Sequence, residues 1–458
     1  MINKETIEII EEDIRQVYQS NSSPWVIGYS GGKDSTAALQ LVWNALVKLP
    51  REKLSKNVFV ISSDTLVETP VIAEYIDDSI GKINQAAKKD KLPFEAVKVK
   101  PLIKDSFWIN LIGKGYPLPY TRFRWCTSRL KIEPANRFIL DKVAAYGDAV
   151  VVLGVRKAES ATRAQVMNLH KIEGQRLSRH SSLPGAFVFA PIENLTTDEV
   201  WSYLLQEASP WGNNNHYLFD LYKAAHDGEC PLVIDKTTPS CGNSRFGCWV
   251  CTVVTKDLSM ISMIESGEEW LRPLHDYREF LVGTRDPHIK NKYRDFKRRN
   301  GQVLIKEIDG TDQLIRGAFI LPYKQKMLRK LLETQNKLRK TGPYPDIQII
   351  LPDELQEIRK IWKEEDNDWE DSLPKIYQEV TGETLEWLEE DHVSFSGQDK
   401  EILDSVCKNH DVPSRLVAQL LELERRYQGM NRRSFIHERI DSLLKQDWRT
   451  EEEITNQS

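Results

Sequence analysis

Short runs of Val, Ile and aromatic residues alternate with helix-forming sequence through the first half of the chain. The runs are WVIGYS, NVFVISSD, FEAVKVKPL, AVVVLGVRK and AFVFAPI, and stretches such as STAALQLVWNALVKL and TTDEVWSYLLQEA separate them. Strands that are apolar along their whole length are buried on both faces, and intervening helices favour parallel crossover connections. The sequence therefore predicts a doubly wound, mostly parallel α/β sheet over residues 1–229.

The remainder of the chain follows a different pattern. Residues 230–260 place Pro and Gly between four cysteines, a clustering that indicates metal, iron-sulfur or redox chemistry. Residues 261–458 consist of helical patterns interrupted by loops, so we expect a mainly helical C-terminal region. Within it, KNKYRDFKRRN interleaves cations with two aromatic residues. This stretch favours contact with DNA phosphates about as much as it favours a solvated helix face.

Composition excludes some classes of protein. The 458 residues are 40% hydrophobic and 29% charged with a net charge of -5, which argues against disorder and against a uniformly basic nucleic-acid coat. The sequence has no signal-type start and no apolar run of membrane-spanning length. We therefore expect a cytoplasmic protein without a membrane partner, in which clustered cysteines bind metal rather than form disulfides.

The six residues SGGKDS, Ser30 to Ser35, stand where the first strand passes into a helix. Gly31 and Gly32 permit a tight turn, and the amides and dipole of the following helix favour an anion, so the loop is predicted to cradle phosphate. The spacing is not that of a Walker A loop. The alternative is a turn capped by Asp34 and Ser35. The full six-residue order after a buried strand favours the phosphate site.

Further candidates follow other predicted strands. Asp64 comes after VFVIS and either contacts a ribose or a metal or caps the next turn. Arg156 and Arg163 follow AVVVL, where a guanidinium can bind phosphate through two hydrogen bonds. Alternatively, Arg156 and Arg163 form surface ion pairs, which contribute little to stability. Ligands of such folds bind at the carboxyl ends of the strands, which favours a ligand role.

The cysteines form a second group of candidates. Cys126 is surrounded by four cations, which we expect to lower the pKa of its thiol: Arg122, Arg124, Arg129 and Lys131. Downstream, CGNSRFGCWVC has C-x6-C-x2-C spacing, and its final pair can place two thiolates on one metal centre. Spacing alone suits zinc as well as an iron-sulfur cluster.

These motifs resemble those of a known superfamily. SGGKDS resembles the PP-loop of the ATP pyrophosphatase superfamily, and WCTSRLKIEP, GVRKAESATR and APIENLTTDEVWSYL resemble its sulfonucleotide (PAPS) reductase branch. With ISSDTLVETP and CPLVIDKTTPSCGNSRFGCWVCTVV, the chain is similar over residues 20–260 to the DndC family of bacterial DNA phosphorothioation. The resemblance implies an adenine nucleotide alpha hydrolase-like fold, ATP with Mg²⁺, and a [4Fe-4S] cluster.

The resemblance also implies roles for individual residues. The loop would hold pyrophosphate through Ser30, Gly31, Gly32, Lys33, Asp34 and Ser35. Asp64, Arg156 and Arg163 would complete the nucleotide site, with Lys33, Asp34 and Arg156 as the catalytic residues. The implied cluster ligands are Cys126, Cys248, Cys251 and, as the fourth, Cys241, for which Cys230 competes. The related reductases carry a Cys-Cys pair where this chain has Trp125-Cys126, so one ligand must come from elsewhere.

The function implied by the resemblance is ATP-dependent sulfur transfer to DNA. The enzyme would adenylate a backbone phosphate, release pyrophosphate and replace a non-bridging oxygen with sulfur. Expected partners are a cysteine desulfurase as sulfur donor, other DNA phosphorothioation proteins and DNA. A sulfonucleotide reductase is the nearest alternative, disfavoured because no cysteine follows Cys407. A tRNA thiolase and a zinc-stapled scaffold with an inactive loop are further alternatives.

Overall fold

The computed structural model describes residues 2–159, 165, 169–170, 176–224, 247–286, 290–308, 310–385, 395–428, 433 and 435–455. The chain divides into two compact units, Met1–Leu102 with Pro119–Leu271, and Ile103–Leu118 with Arg272–Ser458. The predicted domain bounds of 1–229, 230–260 and 261–458 stay a prediction, because residues 230–246 lie outside the described part of the chain. Within that part, no helix has both the length and the apolar character needed to cross a membrane.

One sheet of six strands organises the described part of the first unit. The strands are β1 (Trp25–Gly28), β2 (Val58–Ser63), β3 (Phe94–Val99), β4 (Ala149–Val152), β5 (Ser178–Arg179) and β6 (Ala186–Phe189). Their order is β3-β2-β1-β4-β6-β5, and every pairing is parallel except that of β5 with β6. The predicted doubly wound, mostly parallel sheet is confirmed. The two-residue edge strand β5 was not predicted.

Helices cover both faces of this sheet. They are α1 (Lys4–Gln19), α2 (Lys33–Val47), α3 (Pro70–Asp90), α4 (Trp125–Thr127), α5 (Glu133–Tyr146), α6 (Thr197–Gln206), α7 (Asn215–Ala224) and α8 (Leu258–Glu265). Alternate residues of a strand point to opposite faces. Trp25 and Ile27 therefore pack in one core with α2, whereas Val26 packs in the other with Ile139 of α5.

Strand β1 lies where the strand order changes direction. The chain moves from β1 outward to β2 and β3, and then returns to place β4 on the other side of β1. At such a point the crossovers leave on opposite faces, and the carboxyl ends of the two neighbouring strands border a crevice. The SGGKDS loop follows β1 and Arg156 follows β4, so the topology alone brings these two candidates to one crevice.

The second unit is mainly helical, as predicted. Its elements are α9 (Arg272–Gly283), the hairpin β7 (Ile305–Ile308) and β8 (Thr311–Leu314), α10 (Leu321–Thr341), α11 (Pro352–Glu365), α12 (Ser372–Thr381), α13 (Gly397–Asn409), α14 (Ser414–Tyr427), α15 (Ile436–Leu444) and α16 (Glu451–Thr455). The segment Ile103–Leu118 is part of its core: Trp108 Nε1 donates to the Ile349 carbonyl at 2.6 Å. Trp362 Nε1 donates to the Ile112 carbonyl at 2.9 Å.

Candidate nucleotide and cysteine sites

The SGGKDS loop has the backbone of an anion-binding turn. Gly31 has a φ of +72°, and a Cβ at this position would collide with the Ile76 side chain. Glycine is therefore required here for both conformation and space. Gly32 is the N-cap of α2 and has extended backbone, so the first amides of this 15-residue helix open onto the loop.

Two hydroxyl groups close the loop. Ser30 Oγ lies 3.1 Å from Ser35 Oγ, and the Ser30 amide donates to Ser35 Oγ at 3.2 Å. Ser35 Oγ in turn donates to the Gly32 carbonyl at 3.0 Å. The loop thus holds its shape through its own side chains, and it presents hydroxyls and helix amides together, which are the groups that bind a phosphate.

A buried carboxylate joins two cations beneath this loop. Asp34 Oδ2 lies 3.0 Å from Lys33 Nζ, and Asp34 Oδ1 accepts from Arg156 Nε at 2.6 Å. The three side chains are only 2%, 8% and 1% exposed for Lys33, Asp34 and Arg156. An anionic ligand in the loop would therefore meet two cations that Asp34 already holds in place.

Sequence reasoning missed two residues of this site. A Cβ on Gly154 would lie 2.5 Å from the Asp34 carbonyl oxygen, so the end of β4 touches the loop backbone to backbone. The Lys33 amide donates to the Tyr222 hydroxyl at 3.2 Å. Gly154 opens the GVRKAES motif and could have been found there. Tyr222 lies on an ordinary amphipathic helix and carries no such signal.

The other two candidates for the nucleotide site are Asp64 and Arg163. Asp64 Oδ1 accepts from the Leu66 amide at 3.0 Å, as a turn cap does, and Oδ2 lies 3.4 Å from both Lys98 Nζ and Lys100 Nζ. The structure thus shows the capping contact, and the ribose or Mg²⁺ role of Asp64 stays a prediction. Arg163 lies outside the described residues.

The loop after β2 fixes the Cys248 end of the CxxC motif. The Trp249 amide donates to the Val67 carbonyl at 3.0 Å, and the Thr69 amide donates to the Gly247 carbonyl at 3.1 Å. Within this bridge Thr65 Oγ1 lies 3.3 Å from Cys248 Sγ. The cysteine region is therefore attached to the carboxyl end of the strand beside β1.

The cysteines of this region influence one another electrostatically. Burial raises the pKa of the Cys126 thiol to about 11, and Cys251 adds to the rise. Burial raises the pKa of Cys248 to about 12, again with a contribution from Cys251. Cys126, Cys248 and Cys251 therefore share one neighbourhood. The expectation that nearby cations would lower the pKa of Cys126 is wrong, because burial outweighs the opposing charge of Lys131.

A soft metal centre fits the chemistry of these three sulfur atoms. Ionisation of a buried thiol is unfavourable in the absence of a nearby positive charge, whereas a bound metal cation stabilises the thiolate. Cys241 and Cys230 lie outside the described residues. In the described ranges, no three or more His, Cys, Asp or Glu side chains are arranged to hold a metal ion. The cluster ligands Cys126, Cys241, Cys248 and Cys251 therefore stay a prediction.

Several side chains of the basic stretch KNKYRDFKRRN make contacts within the second unit. Arg294 donates through Nε to the Gly317 carbonyl at 2.8 Å, and Arg299 Nη2 lies 2.8 Å from Glu365 Oε2. The Tyr293 ring stacks on that of Tyr323 with 4.0 Å between centroids. These side chains are held by internal contacts, so any contact of this stretch with DNA would depend on its other cations.

The fold and the loop define a class of protein, the PP-loop domains, in which a glycine turn after a parallel strand faces a helix N-terminus. The profile of the phosphoadenosine phosphosulfate reductase domain family matches residues 24–254, half of the chain, and the chain belongs to this family. A second profile matches residues 398–445 and describes a small protein found in certain Dnd DNA modification systems.

Individual relatives are distant. Two uncharacterized proteins of Methanocaldococcus jannaschii are each 25% identical to the chain, over 272 and 346 residues. The matches cover 58% and 73% of this chain but 44% and 63% of the relatives, so the chain spans less than two thirds of either relative.

Two solved structures are similar to part of the chain. The phosphoadenylyl-sulfate (PAPS) reductase of Candida auris is 16% identical, with 48% of this chain and 94% of that chain covered and a TM-score of 0.29. A U34-tRNA thiolase of Methanococcus maripaludis with its [4Fe-4S] cluster is 14% identical, with 63% and 81% covered and a TM-score of 0.29. Similarity at this level supports no inference about activity.

Proposed function

We propose that this protein is an ATP-dependent sulfurtransferase of DNA phosphorothioate modification. One observation supports the proposal most. The phosphate-type loop and the cysteine region are attached to the carboxyl ends of adjacent strands, β1 and β2, within one unit. A nucleotide held by the loop would have its phosphates near sulfur. The Dnd-associated profile over residues 398–445 supports DNA as the acceptor.

The loop would serve the activation step. A non-bridging oxygen of the DNA phosphate attacks the α-phosphorus of ATP, the bond to the β-phosphate oxygen breaks, and pyrophosphate leaves. The amides of α2 with Ser30 and Ser35 would hold the leaving group, and the Lys33–Asp34–Arg156 cluster would stabilise its charge. Asp34 positions both cations, so each is in place before the charge develops.

The cysteines would serve the sulfur step. The terminal sulfur of a cysteine persulfide attacks the adenylated phosphorus and AMP leaves. A second thiol then attacks the protein-bound sulfur, so that a disulfide forms and the terminal sulfur stays on the phosphate. Cys126, Cys248 and Cys251 are close enough to influence one another and would take these parts or hold a cluster. A [4Fe-4S] cluster held by Cys126, Cys248, Cys251 and Cys241 would supply electron or sulfur transfer here.

The partners follow from this chemistry. A cysteine desulfurase would supply the persulfide sulfur, and other DNA phosphorothioation proteins would present the DNA. The direct test deletes the gene, digests genomic DNA with nuclease and seeks phosphorothioate-linked dinucleotides by mass spectrometry. We expect these dinucleotides to disappear and to return with the wild-type gene. Their persistence in the deletion strain would refute the proposal, and loss of a thiolated tRNA base instead would indicate a tRNA thiolase.

The family itself supports a second candidate, a sulfonucleotide reductase. Such an enzyme would bind an adenylylsulfate in the same loop and release sulfite at the expense of two electrons from thiols. Purified protein incubated with adenylylsulfate or its 3′-phosphate and reduced thioredoxin distinguishes the two. Sulfite formation without any requirement for ATP would favour the reductase.

A further inference from the structure

A cavity of about 490 Å³ lies in the second unit. Its walls come from the basic segment 295–301, the start of α10, the end of α11, and helices α14 and α15. Seven lysines and arginines line it against four aspartates and glutamates, a net formal charge of +3. A concave site with this surplus selects an anion.

Three of the four carboxylates are already neutralised by neighbouring cations. Arg415 Nη1 lies 2.9 Å from Asp295 Oδ2, Arg299 Nη2 lies 2.8 Å from Glu365 Oε2, and Lys324 Nζ lies 2.5 Å from Asp366 Oδ2. The lining charges outside these three pairs are Lys114, Lys297, Arg298, Arg439 and Glu364, which together keep the surplus of +3.

Lys297 is held in the cavity wall by aromatic rings. Its ammonium lies 4.8 Å from the centroid of Trp448 and 5.2 Å from that of Phe296. Burial and the charge of Arg415 lower the pKa of Lys297, and together they outweigh the opposing charges of Asp295 and Asp447. Crowded cations repel one another, and a bound anion would relieve that repulsion.

The backbone holds this basic segment in a fixed shape. The Asp447 amide donates to the Gly301 carbonyl at 3.0 Å, and Gln302 Nε2 donates to the Lys445 carbonyl at 2.8 Å. A Cβ on Gly317 would collide with the Lys297 carbonyl, so the chain can pass here only as glycine. Cations on a rigid wall lose little conformational entropy when they bind a ligand.

We propose that this cavity binds backbone phosphates of DNA, an inference that rests on the proposed function. Two guanidinium groups line the cavity, those of Arg298 in the basic segment and Arg439 in α15, and each can bind a phosphate through two hydrogen bonds. Arg415 and Arg439 belong to the segment 398–445 that matches the Dnd-associated profile, so this segment and the basic segment together form the site.

The test measures binding of a fluorescently labelled duplex to the full-length protein by anisotropy, over a range of salt concentrations. The double variant Arg298→Gln/Arg439→Gln is compared with Lys337→Gln/Lys340→Gln, which removes two exposed cations of α10 that do not line the cavity. We expect the cavity variant to bind the duplex at least about tenfold more weakly. The slope of the logarithm of its binding constant against the logarithm of the salt concentration should become smaller in magnitude by about 2. The control variant should change neither quantity. Equal losses in the two variants, or no loss in either, would overturn the assignment.

Two further arms identify the source of the phosphate. Inorganic phosphate and AMP are titrated into the wild-type protein by calorimetry. The DNA assignment would be refuted if the wild-type protein bound phosphate or AMP but not the duplex, and if the cavity variant lost that binding. Such a result would show a site for free phosphate. Pyrophosphate release by the wild-type protein is measured separately. An inactive wild type with cavity-dependent DNA binding would refute the proposed function and leave this inference standing.

Discussion

One carboxylate, that of Asp34, holds together two cations at the SGGKDS loop. Asp34 contacts Lys33 from its own helix turn and Arg156 from 122 residues further along the chain. Both cations were singled out in the sequence, where Arg156 was expected to contact phosphate. The structure adds that Arg156 Nε is bonded to Asp34, so this residue also positions the loop. A contact across such a separation is set by the strand order and leaves no local pattern in the sequence.

Replacing Asp34 with Asn should destabilise the first unit strongly. The change leaves Lys33 and Arg156 buried without their anion, and breaking a buried pair costs about 3–5 kcal/mol. Asp78→Asn is the matched control, because the Lys82–Asp78 pair is exposed and should contribute under about 1 kcal/mol. Urea unfolding measures both. Equal, small effects would show that the buried charges do not depend on Asp34.

Glu354 gives the second unit a specific pH dependence. Burial raises the pKa of this carboxyl group from 4.5 to about 7, although Glu354 Oε2 accepts from the Leu351 amide at 2.9 Å. The folded protein therefore holds the proton more tightly than the unfolded chain. The resulting stabilisation is present in full below pH 4.5 and is lost as the pH rises through 7.

Glu354→Gln should remove this dependence. We expect the variant to match the wild type near pH 4.5 and to have a higher free energy of unfolding, by about 3 kcal/mol, at pH 8. Glu401→Gln, an exposed change in α13, should leave the pH profile unaltered. Urea unfolding at the two pH values measures the difference. A variant that is no more stable than the wild type at pH 8 would contradict the assignment.

Strands and helices with a clear local pattern of apolar residues could be predicted from the sequence, and elements without one could not. The Val- and Ile-rich runs predicted the parallel strands β1, β2, β3, β4 and β6, and the helix-forming run TTDEVWSYLLQEA predicted α6. The strand Ser178–Arg179 was missed because two polar residues have no periodicity. The segment Ile103–Leu118 was missed because its core partners are distant in sequence: Ile349, which accepts from Trp108, lies 241 residues away.

The close packing of β4 against the loop predicts a sharp difference between two glycines. Gly154→Ala places a Cβ 2.5 Å from the Asp34 carbonyl oxygen, so we expect a destabilisation of about 1–3 kcal/mol and weaker ATP binding. Gly81→Ala in α3 meets nothing within 4 Å and should stabilise the helix slightly. Thermal unfolding and equilibrium ATP binding measure both variants. Normal ATP binding by Gly154→Ala would show that the strand end and the loop are not coupled.

In the whole molecule, the proposed function requires both the phosphate-type loop and the cysteine region to carry their ligands. Anaerobically purified protein should carry iron and broad visible absorption, and both should be lost in Cys126→Ser, Cys248→Ser and Cys251→Ser. Cys407→Ser is the control, because Cys407 is buried in α13 of the second unit. Full iron content in the three variants, or zinc in the wild type, would refute the iron-sulfur ligand set.

If the SGGKDS loop holds the pyrophosphate of ATP, as we propose, the release of pyrophosphate must depend on its side chains. Pyrophosphate release from ATP is followed in the presence of DNA and a persulfide donor for the wild type, Ser30→Ala and Ser55→Ala, the last an exposed serine outside the loop. Loss of a hydroxyl that contacts the leaving group should reduce the rate by about 100-fold. We therefore predict a large loss for Ser30→Ala with the protein still folded, and a normal rate for Ser55→Ala. An unchanged rate for Ser30→Ala would contradict the claim.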